Sequence, residues 1–102
     1  MPNKLIIKLP DEKHFNFIQK QVLFKNGIHP DGNIDLLHFH IYGIESCLAI
    51  NPNSYLTFCS DKWYREHGYV EFFSFSEFIN TFCKWKSGEW VVLMEKIEKY
   101  FL

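Results

Sequence analysis

The sequence predicts an α+β domain, an antiparallel sheet of four to five strands with two or three helices packed on it. Three observations carry that expectation. Helical periodicity and strand alternation both occur, each in its own stretch of chain. Turn chemistry separates them at Gly27, at residues 51–54 and at Ser87-Gly88. An apolar share of 47%, with eleven Phe in 102 residues, furnishes one core and leaves no length for a second domain.

Residues 4–9 are short and apolar between Pro2 and Pro10, which reads as a first strand. Asp11 stands where an N-cap belongs, and Glu12 in the first turn suits the helix dipole. Phe15, Ile18 and Val22 recur at helical spacing and Gly27 supplies the stop, so a first helix runs from about residue 12 to 26. His29-Pro30-Asp31-Gly32-Asn33 is a loop by composition. Leu37, Phe39 and Ile41 then alternate with His38, His40 and Tyr42, which predicts a strand carrying the two sets on opposite faces. Residues 46–51 and 55–60 read as two more strands about a proline turn, and the three together as an antiparallel meander.

Residues 60–68 look like one capped helical turn ended by Gly68, and 70–73 like a short strand. Ser74 and Glu77 fit a capping box. Phe75, Phe78, Ile79, Phe82 and Trp85 follow at helical spacing, and Ser87-Gly88 breaks that helix. Trp90, Leu93, Met94, Ile97 and Phe101 mark a final helix; a rival reading makes residues 90–94 a strand, because Val91-Val92 is β-branched.

Charge narrows the function classes. Eleven basic residues nearly balance twelve acidic ones, and Arg65 is the sole arginine. One subunit therefore cannot build a bidentate arginine cluster or a basic face for phosphates, and nucleic acid is not an expected partner. Cys47, Cys59 and Cys83 form no CxxC pair, which suits reduced thiols packed as small hydrophobes in a cytoplasmic protein. No apolar run approaches the ~18–20 residues of a membrane span, and the start is interrupted too soon for a signal peptide. With no Gly-rich phosphate loop, nucleophile elbow or HExxH helix, neither an enzyme nor a cofactor is expected.

Two clusters stand out as binding residues. His38 and His40, with Tyr42 beside them, would share one strand face. Two imidazoles can share a metal, but the remaining ligands would have to come from loops elsewhere, so that face reads as exposed or partner-facing. Trp63, Tyr64, Arg65 and His67 crowd a single short turn, and Trp, Tyr and Arg are the usual interface anchors. The alternative for Trp63 is a plug at the sheet end. Trp85 and Trp90 read either as the last core layer between two antiparallel helices or as an exposed patch suited to a homodimer.

In residues 4–27, 55–63 and 69–78 the chain offers a strand and helix ending at glycine, a strand after a polar turn, and a capped SFSEF helix. That order resembles small accessory proteins encoded by phages. The resemblance implies a counter-defence or host-factor inhibitor in the host cytoplasm, one that masks a host or defence-system protein or sequesters a small nucleotide-like ligand. A nucleotide trap needs an anion pocket, for which Lys8, Lys62 and Arg65 are the basic candidates. An immunity protein or antitoxin that neutralises a toxin has the same size and charge. A small metal-dependent enzyme built on His38 and His40 is the third class.

Overall fold

The structure is a computed structural model that describes residues 3–32 and 35–102. Pro2 and Asn33, named above as strand flank and loop, lie outside the described residues. A five-stranded sheet has the order β2-β4-β3-β1-β5, and a separate two-stranded hairpin pairs β6 with β7. The strands are β1 (Leu5–Lys8), β2 (His29–Pro30), β3 (Ser46–Ile50), β4 (Tyr55–Ser60), β5 (Phe73–Ser74), β6 (Cys83–Lys86) and β7 (Glu89–Val92).

Two of the three inner strands, β1 and β3, are apolar on both faces because both faces are covered. Their register, Leu5↔Ile50 through Lys8↔Cys47, puts Leu5, Ile7, Leu48 and Ile50 on one side. Ile6, Cys47 and Ala49 fall on the other. The first side faces the main core with Phe15, Ile18, Val22 and Phe78; the second packs a smaller one around Tyr64.

The sheet is mixed, which corrects the antiparallel expectation. β3 is antiparallel to both β1 and β4, but β5 runs parallel to β1 and β2 parallel to β4. The cause lies in the connections. A tight turn reverses a strand, whereas a helical crossover returns the chain in the same direction. The first helix makes such a crossover between β1 and β2, and α2 (Asp61–Glu66) makes another between β4 and β5. His29-Pro30, expected as loop, thereby becomes a two-residue edge strand. A proline is tolerated there because an edge leaves one row of N–H groups unused.

The first helix has the expected extent but changes pitch. It starts as α1 (Glu12–Phe17) with Asp11 accepting from the His14 N–H at 2.8 Å. It widens to a π turn (Ile18–Leu23), tightens to a 3₁₀ turn (Phe24–Asn26) and ends at Gly27 with φ 78°. Gln19, fully buried in the widened part, explains the next correction. Its Oε1 accepts from the Leu37 N–H at 2.9 Å and its Nε2 donates to the Leu37 carbonyl at 3.1 Å. Leu37 thus has both backbone groups satisfied by a side chain and needs no ladder. The expected strand 37–42 is instead two 3₁₀ turns, Phe39–Ile41 and Gly43–Glu45, and the meander reduces to the β3–β4 hairpin.

α3 (Phe75–Phe82) begins on the expected capping box, with Ser74 N–H to Glu77 at 2.9 Å and Glu77 N–H to Ser74 Oγ at 3.1 Å. It ends earlier than expected. Residues 83–92 form the β6–β7 hairpin, whose turn places Ser87 at φ 53° and Gly88 at φ 81°. Two successive left-handed residues make the turn that matches strand twist, so Ser87-Gly88 reverses a hairpin where a helix break was expected. Trp85 and Trp90 are directly opposed across it, with ring centroids 5.2 Å apart. They are a cross-strand pair, not a layer between helices. The rival strand reading of residues 90–94 holds for Trp90–Val92, and the last helix, α4, is confined to Met94–Tyr100.

Candidate functional site

The expected binding residues divide between the two sides of the sheet. Phe39, between His38 and His40, packs edge-on against Phe15 in the main core at 5.6 Å. The two imidazoles are exposed on a turn, 5.5 Å apart, and Tyr42 meets Phe58 at 5.2 Å. Among the described residues no group of three or more His, Cys, Asp or Glu side chains is placed to hold a metal ion.

α2 lies against the other side of the sheet, and its four expected residues take different roles. Ser60 caps it by accepting from the Trp63 N–H at 3.1 Å. Trp63 is 39% exposed and stacks on His67, one helical turn on, at 3.8 Å. Tyr64, expected on a binding surface, is only 2% exposed. It belongs to the second core, where burial pushes its phenol above the ordinary range. Arg65 turns away from Trp63 and lays its guanidinium over the Phe72 ring at 4.4 Å.

Arg65 opens onto a groove of about 510 Å³ that sequence reasoning did not delimit. Its chemistry comes from Lys8, His14, Arg65, Phe72, Phe75 and Ser76. The sheet brings them together. Lys8 and Ser74 are paired at the carboxyl ends of the parallel neighbours β1 and β5, after which the chain enters α1 and α3. α1 and α3 both pack on the main-core side and α2 on the other, so the groove lies at this end of the sheet between the two layers. Lys8 also lies in one row with Cys47 and Cys59, so Asp61, two residues past Cys59, reaches back to it. The Lys8 ammonium donates to the Asp61 carboxylate at 2.5 Å and holds that carboxyl below its usual range. On the opposite wall His14 meets the edge of Phe75 at 4.9 Å and is tied to Asp11 at 2.8 Å.

Lys8 and Arg65 were expected together as anion-binding residues and do share this groove; Lys62 is exposed and does not line it. Phe72, Phe75 and Ser76 carried no site signal in the sequence, because each reads locally as a helix or core residue, and His14 stood out only as one of the histidines, with His29 and His67, that could complete a metal set with His38 and His40. Other grooves are chemically poorer. One of about 510 Å³ beside the hairpin sets Lys84 and Lys86 against Glu89 and Glu95. One of about 450 Å³ near Gly68 is lined by Tyr69 and Tyr100, whose hydroxyls are already spent on Asn3 and Glu71.

The cysteines stay out of this chemistry. Burial pushes the Cys47 and Cys83 thiols up to about 12, far from the thiolate a nucleophile requires. No helix among the described residues is long and apolar enough to cross a membrane. Neither a family model, a curated protein nor a solved structure matches the chain.

Proposed function

We propose that the protein is a non-catalytic binding protein that sequesters a small ligand, as a phage-type counter-defence factor would withhold one from its host. One observation carries the reading: Lys8 and Arg65 meet Phe72 and Phe75 in a single groove at the carboxyl ends of two strands. Cationic and aromatic groups converging on one crevice are the makings of a ligand site, and its volume falls within the roughly 300–1,000 Å³ of small-molecule pockets. Polar groups in and beside the groove are engaged in holding structure. Ser74 and Glu77 are spent on each other as a cap, and Asp61 on Lys8. Such groups suit grip and orientation better than proton transfer.

Masking of a protein partner is the other form of the same reading. The exposed Trp63–His67 stack favours it, since indoles are typical interface anchors. The deciding experiment recovers the tagged protein from a bacterial lysate, denatures it, and examines both the released small molecules and the co-purified proteins by mass spectrometry. The expected result is one chemically unaltered anionic compound, approaching one per chain and lost in Arg65→Gln. A stoichiometric protein without a small molecule would overturn sequestration in favour of masking. Recovery of neither would overturn both.

A further inference from the structure

We infer that the groove beside Arg65 takes a ligand joining one phosphate to a flat ring, with a nucleoside monophosphate as its simplest representative. The inference rests on the sequestering reading above and narrows its ligand class.

Arg65 is stacked on Phe72, and among the described residues no carboxylate comes within salt-bridge distance of it. A guanidinium held over a ring by its central carbon keeps N–H donors for oxygens elsewhere, and arginine binds phosphate bidentately through two of them. Lys8 stands in the same groove with its charge shared by Asp61. The groove lining carries two cations, Lys8 and Arg65, and one carboxylate, Glu77, while Asp61 and Asp11 adjoin it through their bonds to Lys8 and His14. A single phosphate, carrying about −1.5 to −2, can be met by Arg65 with partial help from Lys8. A triphosphate would bring further charge against Asp61 and Glu77 with no further cation to receive it. Like charges at such range disfavour binding.

The rest of the groove needs a second group on the ligand. Phe75 packs at T-shaped ring contacts with His14 and Phe17, ring centroids 4.9 and 5.9 Å away, and is half-buried, so part of its ring is left to the groove. Aromatic rings that line a groove are stacking platforms for bases. Ser76 is exposed at the rim, where its hydroxyl can meet a sugar or phosphate oxygen. Phosphate at Arg65 and ring at Phe75 uses both ends of the site. Inorganic phosphate or a bare nucleoside uses one.

The test is calorimetric titration of the intact protein with a nucleoside 5′-monophosphate panel, the matching nucleosides and triphosphates, and inorganic phosphate. At least one monophosphate should bind, with its nucleoside, its triphosphate and inorganic phosphate each at least tenfold weaker. Arg65→Gln and Phe75→Leu should each weaken that monophosphate at least tenfold while melting temperature and circular dichroism stay those of a folded chain. Arg65→Lys should rescue only part of the loss. Three outcomes would overturn the inference: no monophosphate bound at millimolar concentration, a triphosphate bound more tightly than its monophosphate, or affinity unchanged in Arg65→Gln. If the titrations fail while the lysate experiment still yields an Arg65-dependent compound, the ligand class falls and the sequestering site stands. If that compound is missing too, both fall.

Discussion

Trp63 and Tyr64 are adjacent in the chain, and the 100° between successive helical residues sends their rings to different surroundings. Trp63 rests on the outside of α2 against His67, while Tyr64 fills the second core beside Ile6 and Ala49. Truncation should separate them. Tyr64→Ala is expected to cost about 3–5 kcal/mol in urea denaturation, the range for a buried ring. Trp63→Ala should cost clearly less than Tyr64→Ala, because 39% of Trp63 is exposed against 2% of Tyr64. Equal losses would mean that Trp63 is a core residue after all. At this scale the sequence identified the chemistry of the 63–67 cluster but not its division, because both residues are large, aromatic and amphipathic. Arg65 was legible as the one arginine, whereas its partner Phe72 is set by a fold contact between α2 and the chain leading to β5.

At the scale of elements, α3 shows where local signals suffice and where they stop. Its start is written in Ser74 and Glu77, which bond each other whatever lies around them. Its buried stripe, Phe78, Ile79 and Phe82, is equally local. Phe78→Ala should therefore cost about 3–5 kcal/mol, read as a fall in the urea midpoint with unchanged slope. A loss below about 1 kcal/mol would place the ring outside the core. The end of α3 was misread because Trp85 continues the helical spacing by coincidence. Pairing of Trp85 with Trp90 and of Cys83 with Val92 decides for a hairpin, and those pairs become visible only once the turn at Ser87-Gly88 is known to reverse the chain. Strand preference depends on cross-strand neighbours far more than helix preference does on its own residues.

Across the whole molecule, two side-chain amides, one buried and one half-buried, hold parts that no local rule connects. Gln19 fixes the backbone of Leu37, and Asn26 fastens the hairpin to the end of the first helix. The Asn26 amide donates to the Trp90 carbonyl at 3.1 Å, and its Oδ1 accepts from the Val92 N–H at 3.1 Å. Asn26→Ala leaves those groups without partners and should cost about 1–3 kcal/mol. Hydrogen exchange gives the sharper readout: the Val92 amide should exchange faster while amides of β1 and β3 keep their protection. A uniform rise across the sheet would mean that the hairpin and sheet open as one unit.

By itself the sequence determined the class, the extent of the first helix, the cap of α3 and the β3–β4 turn, and it offered Lys8, Lys62 and Arg65 as candidate anion ligands, of which Lys8 and Arg65 share the groove. Each of these rests on interactions within a few residues or on a residue type that is scarce. Tertiary structure alone decided the parallel edges, the loss of the strand at 37–42, the final hairpin and the groove. Those depend on which backbone groups find partners tens of residues away. Gln19 can release Leu37 from a ladder, and a crossover helix can set a strand parallel, only after the chain has already come together.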